Sequence, residues 1–446
     1  MTAALQPHEG PQRRRRAPLG PPRAAARKAA AYTSDYTGLV SANQSLALYV
    51  HIPFCTAKCT YCNFNSYAGQ ESLMAPYARA VAKEAALWSP VLSGRRVSTV
   101  FFGGGTPSLM PLREMRVIVQ SLISSFGLDE GAEVSLEANP GTVDERHLAG
   151  LRGLGFNRIS FGVQSFHDSE LLDLERIHSG GEAEQAYRWA RSAGFENVNL
   201  DLIFGLEGQG LESWQQNVER ALYLAPEHLS LYAMTLEEGT ALTRDVARGR
   251  RAGPDPDVQA DMYEWSRGRL ARAGYKHYEI SNWALPGREC RHNLAYWRNA
   301  DWLGLGAGAH SHLRYERFAA AASPSRYISL VDEAGASQSG ESSSRLDAVL
   351  DSMPQITFRD PGDELREMSE TVILALRLRE GLSLADFKRG FGVPIEAAFP
   401  KGLGETQELR LTEIADGRLR LRDEAVLLGD EAFLRFLPQA KVAASG

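Results

Sequence analysis

The sequence predicts an α/β fold, a partial (β/α)6 barrel followed by a smaller C-terminal α+β unit resembling a winged helix. Short β-rich runs alternate with helix-periodic segments from Leu46 to Ala233, the pattern of parallel βαβ units. Six such units are too few to close an eight-fold barrel. Beyond residue 361 the pattern changes to helices followed by a hairpin. A chain of 446 residues exceeds one typical domain, and it divides at 1–40, 41–285, 286–360 and 361–446.

The predicted strands are Leu46–His51, Val97–Phe102, Glu133–Ala138, Asn157–Gly162, Asn197–Phe204 and His228–Ala233. Helical periodicity fills the intervals at Pro76–Trp88, Leu112–Phe126, Glu145–Leu154, Glu182–Ala193 and Glu212–Leu224. Pro324–Ser344, rich in Ser, Ala and Gly, reads as a flexible connection or an edge excursion. Amphipathic periodicity then gives a helix at Glu364–Arg379 and a shorter one at Leu382–Phe391. A hairpin over Leu409–Leu421 and a last helix near Asp430–Phe436 complete the winged-helix-like unit.

Composition bounds the function. The first thirty residues carry seven Lys and Arg against the single acid Glu9; removing that +6 from the formal −6 leaves the body near −12. So acidic a body argues against nucleic acid as a partner. Residues 1–40, rich in Pro, Ala and Arg, read as a disordered basic tail. The same composition fits an organellar transit peptide, an overextended start or a solvated arm, but it lacks the apolar core of a secretory signal. No run reaches the ~18 apolar residues of a membrane span. Four cysteines, three of them clustered, form no disulfide framework and point to a reducing compartment, the cytoplasm.

Cys55, Cys59 and Cys62 stand in the spacing C-x3-C-x2-C. Soft thiolates select zinc or iron–sulfur clusters, and a structural zinc site needs a fourth nearby ligand that is missing here. Three packed core thiols would not cluster in so cysteine-poor a chain. Three thiolates on a [4Fe–4S] cube leave one iron open. The spacing, with aromatic Tyr61 just before the last cysteine, resembles the signature of the radical SAM superfamily. The resemblance implies that S-adenosylmethionine (SAM) chelates the open iron.

Each later strand exit carries polar or small residues. Gly103-Gly104-Gly105-Thr106 follows the second strand, where glycines allow close approach of a ligand and leave N–H groups to donate. Glu137, before Asn139-Pro140, stands at the third exit, in reach of a ribose or ammonium group. Gln164 offers a donor and an acceptor at the fourth. Arg176 follows, suited either to a carboxylate of the cofactor or to a surface salt bridge. Asp201 belongs to the fifth strand and Ala233 to the sixth, where a backbone carbonyl could read adenine.

Together Tyr49-Val-His-Ile-Pro-Phe-Cys55, the cysteine triplet, Gly-Gly-Gly-Thr-Pro107, Glu-Ala-Asn-Pro140, Gly-Val-Gln-Ser-Phe166 and Asp-Leu-Ile-Phe-Gly205 resemble the oxygen-independent coproporphyrinogen III oxidase family. The resemblance runs from about residue 46 to the C-terminus. It implies SAM contacts at Tyr49, Tyr61, Gly104, Gly105, Thr106, Glu137, Gln164, Arg176, Asp201 and Ala233.

The true oxidases have a further cysteine two positions after the third ligand, where this chain has Phe64. That departure points to the sister branch of haem chaperones, whose marker H-N-x-x-Y-W is matched by His292, Asn293, Tyr296 and Trp297. Imidazole can ligate iron and aromatic rings can pack on a porphyrin, so these four residues form the candidate haem platform. The branch implies haem as cargo, haem-requiring client proteins, an electron donor for the cluster and a homodimer. The alternatives are a coproporphyrinogen III oxidase and a radical SAM enzyme of unrelated substrate. Gly304-Leu-Gly-Ala-Gly308 lacks dinucleotide-binding spacing and reads as a tight substrate-facing loop, and Cys290 as a packed thiol.

Overall fold

The computed structural model describes residues 45–337 and 346–438. The basic tail at 1–40 and the end of the Ser/Ala/Gly-rich stretch, 338–344, lie outside them. Six parallel strands stand side by side in chain order: β1 (Leu46–Ile52), β2 (Val97–Gly104), β3 (Leu128–Ala138), β4 (Arg158–Gln164), β5 (Val198–Phe204) and β6 (His228–Ala233). Helices α1 (Met74–Trp88), α2 (Leu112–Phe126), α3 (Glu145–Gly153), α4 (Gly180–Ser192) and α5 (Leu211–Leu224) return the chain between them. Residues 46–48, 50 and 52 of β1 are buried, as expected of a parallel strand covered on both faces. α4 opens with a capping box, in which Ser179 and Glu182 satisfy each other's backbone N–H groups.

The sheet extends beyond these six. At the β6 edge, after α6 (Pro256–Arg272), β7 (Lys276–Glu279) and β8 (Asn282–Ala284) are added antiparallel. The short helix α7 (Arg291–Trp297) leads to β9 (Trp302–Leu305), which pairs in parallel with β1. From there β10 (His310–Leu313), β11 (Glu316–Ala320) and β12 (Ile356–Pro361) continue antiparallel. The twelve strands run β12-β11-β10-β9-β1-β2-β3-β4-β5-β6-β8-β7, and the end strands do not meet, so the barrel is open.

One expectation fails. Residues Pro324–Ser337 form a helix, α8, rather than a flexible connection. Tyr327, Val331 and Ala334, at i, i+4 and i+7, are buried, and the Tyr327 ring lies 5.4 Å from that of Tyr77 on α1. A composition rich in small residues hid an amphipathic stripe.

The C-terminal unit has its own core, including Val372, Leu376, Phe387, Leu403, Leu419 and Phe436. Its order is α9 (Glu364–Arg377), β13 (Leu382–Ser383), α10 (Leu384–Phe391), α11 (Pro400–Glu408) and the hairpin β14 (Thr412–Ala415) to β15 (Arg418–Leu421). Helices followed by a hairpin stand in the order expected from the sequence, with a further short helix at Ile395–Ala398 between α10 and α11. α9 docks on the sheet extension. Glu367 accepts from His312 Nε2 at 3.2 Å and from Asn299 Nδ2 at 2.8 Å, and the Arg377 guanidinium lies 4.4 Å from the Trp297 ring centroid.

A candidate cofactor site at the strand ends

The loop after β1 carries the three thiols of Cys55, Cys59 and Cys62 into a cavity of about 510 Å³. The loop is held from two sides. His51 Nε2–H donates to the Asn65 carbonyl at 2.8 Å, which leaves Nδ1 to accept from the Tyr49 hydroxyl at 3.0 Å. Asn65 Nδ2 donates at 3.0 Å to the carbonyls of Ala307 and Ala322. His51 sits two residues after Tyr49 on β1 and so shares its face, a period-2 signal by which the sequence could have shown it.

Nine of the ten strand-exit residues line that one cavity: Tyr61, Gly104, Gly105, Thr106, Glu137, Gln164, Arg176, Asp201 and Ala233. Tyr49 does not. Its ring stacks on Phe101 with centroids 6.4 Å apart, behind the cavity wall. Sequence reasoning passed over Tyr232, which also lines the cavity and directly precedes Ala233 at the end of β6.

The glycine run works differently from expectation. The N–H groups of Gly104, Gly105 and Thr106 are not free: they donate to Glu137 Oε2 (3.0 Å), the Ile52 carbonyl (2.8 Å) and the Phe54 carbonyl (2.7 Å). Gly104 has φ +113°, and any Cβ there would run into the His51 ring. The glycines let β2 press against the cysteine loop, and they shape the site with their N–H groups already bonded to protein acceptors.

Charge in the cavity is balanced by burial. Burial, and secondarily the neighbouring Asp201, push the Glu137 carboxyl up to about 7. Asp201 is raised as well, by burial, against hydrogen bonds from Ser160 and Asn199 that favour its charged form. Arg176 is not a surface ion pair. Its Nη2 donates to the Gly162 carbonyl at 2.7 Å and its Nη1 reaches Cys59 Sγ at 3.4 Å, while Thr106 Oγ1 reaches Cys55 Sγ at 3.5 Å. Gln164 holds φ +66° without being glycine, a strained backbone of the kind found at ligand sites.

Two polar atoms on the wall are buried without partners, Gln164 Oε1 and Arg176 Nε. Buried polar atoms left orphaned signal a missing polar ligand. Three thiols with no fourth protein ligand, beside unpaired donor and acceptor groups, suit an iron–sulfur cluster that holds a small polar molecule at its open iron.

The H-N-x-x-Y-W residues lie elsewhere. His292 is fully buried on α7, its Nδ1 bonded to Thr99 Oγ1 at 2.9 Å and its Nε2 to the Tyr296 hydroxyl at 2.9 Å. Its ring stacks on Phe101 at 5.2 Å, and burial lowers its pKa to about 3. Trp297 packs against Arg377. Asn293, in the same helical turn, is half-buried. These residues form a packing cluster in this structure, with no imidazole nitrogen open to iron. Cys290 is buried as expected, its thiol pushed up to about 12 by burial. Gly304–Gly308 is a packed turn against Tyr77, His51 and Asn65 and does not line the cavity.

The Radical SAM superfamily model matches residues 49–221, and the HemN C-terminal domain model matches 363–428. A Mycobacterium tuberculosis protein named Heme chaperone HemW is 37% identical over 387 residues, covering 86% of this chain and 94% of the relative. The Bacillus subtilis protein of that name is 32% identical, covering 87% and 98%. A mouse protein named Radical S-adenosyl methionine domain-containing protein 1, mitochondrial, is 40% identical over 60% of this chain. The structure of Escherichia coli coproporphyrinogen III oxidase (HemN), a radical SAM enzyme, superposes with a TM-score of 0.74 at 24% identity, covering 89% of this chain and 90% of that one. The radical SAM fold implies a [4Fe–4S] cluster and SAM, which the donor set at the strand ends fits. This chain belongs to the Heme chaperone HemW family of radical SAM proteins.

Proposed function

We propose that the chain binds haem and delivers it to haem-requiring client proteins, with a [4Fe–4S] cluster and SAM in the strand-end cavity. Cys55, Cys59 and Cys62 hold the cluster. Tyr61, Gly104, Gly105, Thr106, Glu137, Gln164, Arg176, Asp201 and Ala233 surround SAM, and Tyr49 supports them from behind through His51. When bound, the cluster supplies an electron to the SAM sulfonium. Gln164 and Arg176 present the unpaired acceptor and donor that orient SAM, and Glu137, beside the Gly104 N–H, receives an ammonium or ribose hydroxyl.

The observation that carries the chaperone reading over oxidase chemistry is Phe64, 62% exposed at the cavity rim, where the oxidase branch has its further cysteine. Haem, a client, an electron donor and a second copy of the chain are the partners. No helix among the described residues is long and apolar enough to cross a membrane. The compartment is the cytoplasm, or an organelle if the basic tail acts as a transit peptide, as the mitochondrial naming of the mouse relative favours.

The test is anaerobic reconstitution followed by two assays. With SAM, a reductant and coproporphyrinogen III, no protoporphyrinogen IX is expected, whereas haem titration gives a stoichiometric absorbance change. Conversion of the porphyrinogen overturns the chaperone reading.

A further inference from the structure

Haem iron takes its axial ligand from an accessible His, Cys, Met or Tyr. Of the ten histidines, His8 lies outside the described residues, and of the other nine only His310 is exposed. Both ring nitrogens are in hydrogen bonds in His51, His178, His228 and His292, and buried His312 is bonded to Glu367. Cys290 is buried, and the other three cysteines serve the cluster loop. No described methionine is exposed, and of the two exposed tyrosines Tyr232 lines the cofactor cavity while Tyr223 stands on the outer helix α5. Among the described residues the His310 ring has no hydrogen-bond partner.

His310 also has an aromatic neighbour. Strand register places His310, Ala319 and Phe358 in one row across β10, β11 and β12. The small Ala319 side chain forms the floor, and the two rings flank it with centroids 6.3 Å apart. Phe358 is 47% exposed on the outermost strand, an unusual place for a large apolar ring. The next row on that face, His312, Arg317 and Asp360, is covered by Glu367, Glu370 and Arg366 of α9. On the other side Ala307 and Ala322 are bonded to Asn65 of the cysteine loop. The open row therefore lies between the C-terminal unit and the cluster loop.

We propose that His310 is the axial ligand to the iron of the carried haem, with Phe358 packing on the porphyrin, an assignment that rests on the haem-carrier reading above. The imidazole is free, neutral at physiological pH and unencumbered, and a flat aromatic ring beside it fits a flat apolar macrocycle. A site on an open sheet edge leaves much of the cargo uncovered, as transfer to a client requires. His292 would have to break two hydrogen bonds and leave its stack on Phe101 to do the same.

The experiment is titration of full-length, anaerobically reconstituted protein with haemin, followed by Soret absorbance and magnetic circular dichroism, for wild type, His310→Ala, Phe358→Ala and His292→Ala. Iron and sulfide content serves as the folding control. His310→Ala is expected to lose the histidine-ligated spectrum and to bind roughly tenfold more weakly or worse, about 1.4 kcal/mol. Added imidazole should restore the band. Phe358→Ala should weaken binding with the ligation spectrum kept. A His310→Ala protein with wild-type spectrum and affinity overturns the assignment while leaving the haem-carrier reading standing. Absence of stoichiometric haem binding by the wild type overturns that reading itself.

Discussion

The Tyr327 hydroxyl donates to the Glu84 carboxylate at 2.6 Å, joining helix α8 to helix α1 inside the core. The same carboxylate accepts from the Gly306 N–H at 2.9 Å and so anchors the turn after β9. Burial nevertheless pushes Glu84 up to about 7. Gln355 Nε2 donates to the same carboxylate at 3.5 Å, which leaves Gln355 Oε1 buried without a donor.

A folded-state pKa near 7 against an ordinary 4.5 means that the folded chain binds the extra proton. This contribution is fully present below pH 4.5 and is lost as pH rises through 7. Glu84→Gln keeps an acceptor for Tyr327 and Gly306 and adds a donor to Gln355 Oε1 once that amide turns over. It is expected to flatten the pH dependence and to stabilise the protein at pH 8 by up to roughly 3 kcal/mol. Urea midpoints of both proteins at pH 5 and pH 8 check this; an equal loss for both between the two pH values refutes it.

The six parallel strands were legible because each is a β-rich run, β2 and β5 closed by glycine and β3 by Asn-Pro, and burial on both faces leaves an apolar signature. The strands from 276 to 320 and at 356–361 were not, since they are short and their partners are set by the sheet edges they meet. α8 was masked by serine and alanine. At the site, residue type revealed the thiols and polar strand exits, but type alone does not say where an N–H points, so the glycine donors were misjudged. The orientation of His292 was hidden for the same reason: H-N-x-x-Y-W describes a helix face equally well whether it looks outward or, as here, into Phe101 and Thr99.

Gln164 offers a test of strain held for function. At φ +66° a non-glycine residue costs on the order of 1 kcal/mol, and its side-chain oxygen is unpaired in the free protein. Gln164→Gly is expected to raise the melting temperature of the protein lacking SAM while weakening SAM affinity. Gln164→Ala, which keeps the strain and loses the amide, should lower affinity with no gain in stability. Calorimetric melting and SAM titration of the reconstituted proteins distinguish the two; unchanged affinity in both removes Gln164 from the binding wall.

The four cysteines divide sharply. Ser at position 55, 59 or 62 should leave reconstituted protein with far less than the roughly four iron and four sulfide of a full cluster. Cys290→Ser should keep full content, because that thiol is buried against Glu133, remote from the cavity wall. Iron and sulfide assays after anaerobic reconstitution decide; loss of iron in the Cys290→Ser protein alone would reverse the assignment.

Asn65 is the part of the cysteine loop most exposed to a single substitution. Its amide donates to the carbonyls of Ala307 and Ala322, and its Oδ1 accepts from the Tyr67 hydroxyl at 3.0 Å. Aspartate is nearly isosteric, yet it has no N–H and would set a carboxylate against two carbonyl oxygens. Alanine loses the same bonds without adding repulsion. Two hydrogen bonds at about 1 kcal/mol each predict a rate of iron release to a chelator that is roughly tenfold faster or more in Asn65→Ala. Asn65→Asp should be faster still. Release rates that match wild type in both variants would mean that the loop is held by His51 alone.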